Sequence, residues 1–78
     1  MHEKGGQWVT KEIAKYVIFI DKNYILMEGK PHSQLWQVYK RMGRFIKSRN
    51  FRQCKTYHQK LILKYHSIPE IIDSLIRL

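Results

Sequence analysis

The side chains with the clearest chemical potential lie along one side of a segment near residue 55. When residues are advanced by about 100° each, as in a helix, one face presents side chains that can bind base edges. This base-reading set is Arg52, Lys55, Thr56, Gln59 and Lys60. Arginine and lysine bind guanine, glutamine binds adenine through two hydrogen bonds, and threonine offers a hydroxyl and a methyl group. The pattern indicates a helix that reads DNA in the major groove.

A second set of basic residues would hold DNA phosphates beside that helix. This phosphate set is Lys40, Arg44, Lys47, Arg49 and Lys64. The 41 residues between Glu28 and Glu70 contain ten bases and no acid, and the whole chain has a net charge of +9. A polyanion would relieve the self-repulsion of such a block, with nucleic acid favoured over an anionic membrane surface. A merely solvated face is common on single basic helices, but this block covers two helices and their turn.

Two helices must position these sets from the N-terminal side. Thr10 suits the cap of a first helix, whose first turn carries Glu12. Its apolar stripe comprises Ile13, Tyr16, Val17, Ile20 and Tyr24. The β-branched run at 16–20 would also suit a buried strand. Ser33 is the expected cap of a second helix, in which Gly43 indicates an early stop or a close helix contact. The apolar line of that helix is Leu35, Tyr39, Met42 and Ile46.

Two further helices have clear starting signals. Asn50 and Gln53 have the spacing of a capping box at the start of the base-reading helix. Its opposite face would join the core through Cys54, Tyr57, His58, Leu61 and Tyr65. Ser67 and Glu70 form a second capping box, followed by the apolar residues Ile71, Ile72, Leu75, Ile76 and Leu78. We expect this stripe to pack on its own domain, with a partner protein as the alternative; the partner-contact candidates are Ile71, Ile72, Leu75 and Ile76.

The sequence therefore predicts an all-α fold, a three-helix helix-turn-helix bundle with a short fourth C-terminal helix. The predicted divisions are a flexible N-terminus at 1–6, a DNA-binding domain at 7–66 and an amphipathic helix at 67–78. With 78 residues the chain is too short for a large enzyme fold. We expect neither a signal peptide nor a membrane span, and a lone Cys54 excludes an internal disulfide. Trp8 and Trp36 are expected to anchor the core.

Cys54 and His58 lie one helical turn apart and allow two sharper interpretations. They could be half of a zinc site, or a thiol nucleophile with its base. Both residues point toward the predicted core, and neither a second pair of ligands nor a third orienting group accompanies them. We therefore expect a buried Cys and His, no metal, no cofactor and no catalysis. Membrane binding is disfavoured because the apolar faces are needed to form the core.

Residues 8–62 resemble the Myb/SANT-like three-helix domains, especially the homeobox-like branch with the motif S-H-A-Q-K-Y-F. Trp8-Val9-Thr10-Lys11-Glu12 is similar to the start of the family's first helix, and Trp36 stands where its second-helix tryptophan belongs. The segment 47–55, K-S-R-N-F-R-Q-C-K, is similar to G-T-R-T-x-x-Q-V-R, and 56–60 replaces S-H-A-Q-K. His58 replaces the third core tryptophan, Tyr57 replaces the family's His, and 43–45 looks like an insertion.

The resemblance implies double-stranded DNA as the partner and the nucleus as the location. It assigns recognition-helix positions to Lys55, Thr56, Gln59 and Lys60. The string Q-C-K-T-Y-H-Q-K also resembles ciliate Myb- or homeobox-like proteins, including accessory DNA-binding subunits of a DNA adenine methyltransferase complex. The rival function is a SANT-type protein-interaction module or adaptor. Modules that bind basic tails should be acidic, which the block between Glu28 and Glu70 is not.

Overall fold

A computed structural model describes residues 7–77 of the chain and shows that this part is helical. Its α-helices are α1 (Thr10–Lys22), α2 (Tyr24–Met27), α3 (Trp36–Ile46), α4 (Phe51–Tyr65) and α5 (Ile68–Ile76). A 3₁₀ turn, His32–Gln34, precedes α3, and no strand occurs within 7–77. The all-α prediction is therefore confirmed. The predicted flexible segment at 1–6 and the apolar Leu78 lie outside the described residues.

Helix α1 begins with a different cap from the one expected. Val9 occupies the N-cap position and Thr10 is the first helical residue, so the prediction for Thr10 is wrong. The Glu12 carboxylate accepts a hydrogen bond of 3.0 Å from the Val9 backbone N–H. A carboxylate thus caps a backbone donor at the start of α1. The run at 16–20 is helical, with Tyr16 and Ile20 fully buried. Helical packing therefore prevails over the strand propensity of this run.

Helix α3 confirms the predicted apolar line but not the predicted cap. Leu35, Tyr39, Met42 and Ile46 are all buried. Ser33 lies inside the 3₁₀ turn, and the N-cap of α3 is Leu35. The cap prediction for Ser33 is wrong because the backbone N–H groups of Gln34 and Leu35 bond to Pro31 and His32, which delays the α-helix.

The backbone of α3 lies close to the turn that leads into α4. Helix α3 continues through Gly43 to Ile46, and Lys47 then adopts a φ of 71°. A Cβ atom on Gly43 would lie 3.2 Å from the Phe51 nitrogen and 3.3 Å from the Arg49 carbonyl oxygen. Of the two interpretations of Gly43, the close contact is confirmed and the early stop is wrong.

Helix α4 starts where the sequence predicts. The Gln53 N–H donates to Asn50 Oδ1 at 2.9 Å, and the Asn50 N–H donates to Gln53 Oε1 at 3.0 Å. Both hydrogen bonds of the capping box are thus present. The inner face buries Cys54, His58 and Leu61, whereas Tyr57 and Tyr65 lie at its edge.

Helix α5 folds back onto the domain that precedes it. Ser67 Oγ accepts a hydrogen bond of 3.3 Å from the Glu70 N–H at its start. The helix packs against α1 and α4 and fully buries Ile68 and Ile71. The expected intramolecular packing is confirmed. Glu28, which follows α2, adds a contact by accepting a hydrogen bond from the Ile68 N–H at 3.1 Å.

Candidate nucleic-acid interface

The solvent-facing side of α4 carries the entire base-reading set. Arg52, Thr56 and Lys60 are exposed, and Lys55 and Gln59 are partly exposed. Arg52, Thr56 and Lys60 also line a concave surface, which encloses a volume of about 760 Å³ between α4 and the segment containing Gln7 and Trp8. The structure thus brings these side chains together on one face of one helix, where Leu63 adds an exposed apolar group.

The phosphate set is divided by the structure. Lys40, Arg44 and Lys47 are exposed and line a second concave surface, of about 400 Å³, where α3 meets the α3–α4 turn. Lys64 is also exposed, but it lies in the last turn of α4, with its Nζ 5.3 Å from the Tyr65 ring centroid. At 1.5 Å per residue it is about 20 Å along α4 from the turn. Three phosphate candidates therefore cluster, and Lys64 lies apart from them.

Arg49 must be removed from the phosphate set. Only 6% of this residue is exposed. Its Nε donates to Glu12 Oε2 and its Nη2 to Glu12 Oε1, both at 3.0 Å. Nη2 also donates to the Gln7 carbonyl oxygen at 3.0 Å. The prediction for Arg49 is wrong because its guanidinium joins the start of α1 to the α3–α4 turn and faces away from solvent.

The Glu12 carboxylate has an unusually low pKa. Burial acts to raise it, but hydrogen bonds from Arg49, Ser48 and the Val9 backbone, with the charge of Arg49, outweigh burial and lower the pKa of Glu12 to about 2. The Ser48 hydroxyl donates to Oε2 at 2.6 Å. Glu12 therefore stays ionised at neutral pH and fixes two consecutive turn residues, which positions the start of α4.

The two tryptophans occupy different environments. Trp8 is half-buried and stacks on Tyr57, with ring centroids 4.0 Å apart and planes 7° from parallel. Trp8 therefore packs at the edge of the core. Trp36 is 45% exposed, so its prediction as a core anchor is wrong. The sequence contained a signal for this exposure. Trp36 follows Leu35, the first residue of the apolar line, by one position, which places it about 100° around the helix from that line and toward solvent.

Trp36 joins the surfaces of α3 and α4. Its ring centroid is 5.1 Å from that of Phe51, the first residue of α4. The Lys55 Nζ is 5.6 Å from the Trp36 ring centroid, within the range of a cation–π contact. On Phe51, the Arg52 guanidinium carbon is 5.8 Å from the ring centroid. Sequence reasoning missed this aromatic cluster, which we define as Trp36 and Phe51 with their cations Arg52 and Lys55.

Cys54 and His58 are core residues, as expected. Burial raises the pKa of the Cys54 thiol to about 11, which disfavours the reactive thiolate at neutral pH. His58 Nδ1 is hydrogen-bonded to the Tyr16 hydroxyl at 2.7 Å. Burial, with a smaller effect from His32, lowers the pKa of His58 to about 4. Within 7–77, no three His, Cys, Asp or Glu side chains are grouped so that they could hold a metal ion.

The partner-contact candidates on α5 differ in how far their side chains are exposed to solvent. Ile71 is fully buried and cannot contact a partner in this conformation, so that candidate is wrong. Ile72 and Leu75 are partly buried against the core. Ile76 is 67% exposed and remains on the outer side of α5.

The chain matches no protein-family model, no curated protein and no solved structure. Among the helices between residues 7 and 77, none combines the length and the apolar character needed to cross a membrane.

Proposed function

We propose that this chain binds double-stranded DNA by placing α4 in the major groove. The observation that carries the proposal is the segregation of α4, whose outer face holds the whole base-reading set while its inner face buries Cys54, His58 and Leu61. A major groove about 12 Å wide admits one α-helix. The 15 residues of α4 would span about 22 Å, enough to reach several base pairs.

The cations of α3 and of the turn that follows it would orient α4 in the groove. Lys40, Arg44 and Lys47 lie beside the start of α4 and would bind phosphates flanking the groove. A helix, a short turn and a second helix in this order are typical of a helix-turn-helix unit. The Gly43 approach and the Glu12–Arg49 pair support that assignment because they fix the turn between the two helices.

The resemblance to Myb/SANT-like domains supports the same proposal. It adds a nuclear location and a role as a binding domain without catalysis. It also adds membership of a larger complex, such as a transcription, chromatin or DNA methyltransferase assembly. The charge distribution supports DNA binding, because the segment between Glu28 and Glu70 contains ten bases and no acid, although one of these bases, Arg49, is paired with Glu12 of α1.

A titration with labelled duplex DNA at several salt concentrations tests the proposal. With about four to six phosphate contacts, the logarithm of the binding constant should fall with the logarithm of salt concentration at a slope of roughly −4 to −5. An absence of binding at low salt, or an affinity that hardly changes with salt, would refute it. Single-stranded DNA of the same length is the control, because α4 is expected to require a groove.

Protein interaction is the second candidate function, and exposed apolar side chains favour it. Ile25 on α2 is 81% exposed and Ile76 on α5 is 67% exposed. Isolated exposed residues of this kind are common on monomers, so they carry less weight than the basic face. An adaptor that brings DNA to a partner would use both surfaces. Co-purification with and without α5 would distinguish an adaptor from a domain that acts alone.

A further inference from the structure

The aromatic cluster leaves apolar surface exposed beside the base-reading set. Trp36 packs on Phe51 on one side, yet 45% of it remains exposed. An indole is a large apolar group whose exposure gives up stabilisation that burial would provide. Trp8, by contrast, is half-buried and stacked on Tyr57. The packing of the domain therefore does not account for the position of Trp36.

Cations from both predicted DNA-contact sets border this indole. Lys55, of the base-reading set, lies 5.6 Å from the Trp36 ring centroid. Lys40, of the phosphate set, follows Trp36 by four residues on α3 and is therefore on the same side of that helix. Phe51 both packs on Trp36 and lines the concave surface that contains Lys40. Trp36 thus lies between the two sets.

We propose that Trp36 is a DNA contact that packs its exposed indole against the sugar–phosphate backbone of the bound duplex. This inference rests on the proposed function and adds a contact residue to it. The charge around the cluster selects the occupant: deoxyribose offers an apolar surface to the indole, an adjacent phosphate pairs with Lys40, and the groove beside it offers base-edge acceptors to Lys55. A purely apolar protein segment would leave both ammonium groups without a polar partner.

The duplex affinity of variants and its dependence on salt distinguish a contact made by the indole from one made by a charged side chain. Trp36→Ala should weaken duplex binding about five- to tenfold on every sequence, which corresponds to the loss of one aromatic contact. It should leave the salt slope unchanged, because the indole neutralises no phosphate. Lys40→Gln should reduce the slope by about one. Trp36→Phe should restore part of the affinity, and Ile25→Ala, which removes an exposed apolar side chain from α2, should have no effect.

Intrinsic fluorescence reports on the same contact directly, because Trp8 and Trp36 are the tryptophans of the chain. Saturating duplex should quench or shift the Trp36 emission of Trp8→Phe. The change in emission should be smaller in Trp36→Phe than in the unsubstituted protein, because Trp36→Phe reports only Trp8, which lines the concave surface beside α4. If Trp8→Phe does not fold, the difference between the unsubstituted protein and Trp36→Phe provides the same signal. Labelled-duplex anisotropy, recorded in parallel, shows whether DNA is bound.

Two results would overturn the inference, and they can be told apart. If the duplex binds while Trp36 emission and the affinity of Trp36→Ala stay unchanged, Trp36 is not a DNA contact. The proposed function then stands, and the cluster is assigned to a protein contact. If the unsubstituted protein binds no duplex at low salt, the proposed function and this inference both fail.

Discussion

Glu12 and Arg49 form a two-point ion pair across 37 positions of the chain. Both contacts measure 3.0 Å, and both side chains are almost completely buried. The pair joins the first turn of α1 to the residue that precedes the α4 cap. The direction in which α4 leaves the turn, and with it the placement of the base-reading set, therefore depends on one buried carboxylate.

Neutralising Glu12 should destabilise the domain strongly. Glu12→Gln leaves the Arg49 guanidinium buried without its counter-ion, a change that costs about 3 kcal/mol or more. Urea unfolding at pH 7 measures the loss. Asp73→Asn is the matched control, because it breaks the exposed Asp73–Arg77 pair and should cost no more than about 0.5 kcal/mol. Comparable losses in both variants would contradict the structural role of the buried pair.

Acid should destabilise the domain through His58. The folded chain holds this imidazole neutral, with a pKa lowered from 6.5 to about 4. Its stabilisation is therefore complete above pH 6.5 and is lost as the pH falls toward 4, at about 1.4 kcal/mol per pH unit. The lowered pKa of His32, caused by burial and then by Lys55, acts in the same direction. Glu12 adds its own loss below pH 4.5, down to about pH 2.

Thermal unfolding between pH 7 and 4 checks the contribution of His58. His58→Gln keeps a hydrogen-bonding group near Tyr16 but cannot gain a proton, so its melting temperature should depend less on pH. His66→Asn is the control, because His66 is exposed and Asn tolerates its left-handed backbone. The assignment fails if His58→Gln and the unsubstituted protein lose stability in parallel over this range.

Local spacing predicted the features that are formed by residues close in sequence. The Asn50–Gln53 capping box, the apolar line of α3 and the two faces of α4 each involve side chains within one or two helical turns. Arg49 illustrates what spacing cannot provide. In sequence it belongs to a basic run, and only its contact with Glu12, 37 residues away, shows that it is structural.

The predictions that Thr10 and Ser33 would be helix N-caps were wrong for a related reason. Both hydroxyl residues suit a cap, but the backbone can obtain its hydrogen bonds elsewhere. At α1 the Glu12 carboxylate contacts the Val9 N–H. Before α3, the 3₁₀ bonds from Gln34 and Leu35 occupy the segment that contains Ser33. The prediction that Trp36 anchors the core was wrong because the exposure of this residue depends on its position relative to the apolar line of α3 and not on its residue type.

Replacing Gly43 with alanine should lower stability, opposite to the usual effect inside a helix. Alanine normally gains up to about 1 kcal/mol over glycine at such a position. Here the added Cβ would meet the Arg49 carbonyl oxygen and the Phe51 nitrogen at 3.3 and 3.2 Å. These are backbone atoms of a turn braced by Glu12, so they can move little. Gln37→Ala, on the exposed side of α3, is the control, and a higher melting temperature for Gly43→Ala would contradict the close contact.

Two isoleucines of α5 should respond differently to truncation. Ile71→Ala creates a cavity between α5 and the helices it covers and should cost about 2 to 5 kcal/mol. Ile76→Ala, at an exposed site, should change stability by less than about 0.5 kcal/mol. Removal of residues 67–78 should likewise lower the melting temperature of the monomer. If the truncated chain melts unchanged but loses a co-purifying subunit, α5 serves a partner rather than its own core.

A selection from random duplexes should distinguish residues that read bases from residues that bind phosphates, because only the former should change the selected sequence. Gln59→Ala removes a side chain suited to adenine, so it should relax the preference at one position and cost about 1 to 3 kcal/mol at the selected site. Lys40→Ala should weaken all duplexes alike and flatten the salt slope by about one. Lys40 is a better probe than Lys47 because it lies within α3, whereas Lys47 lies at the C-cap in the turn that leads to α4. Lys55 is a less specific probe of base reading because it also contacts Trp36.

The same selection with the unsubstituted protein supplies the reference sequence preference. Thr56→Ala serves as a second reading variant, because Thr56 lies on the same exposed face of α4 and carries no charge. Its salt slope should therefore match that of the unsubstituted protein, whereas its sequence preference should change. Gln59 and Thr56 variants that lose affinity equally on every duplex would show that α4 touches only the backbone, and DNA binding would then be independent of sequence.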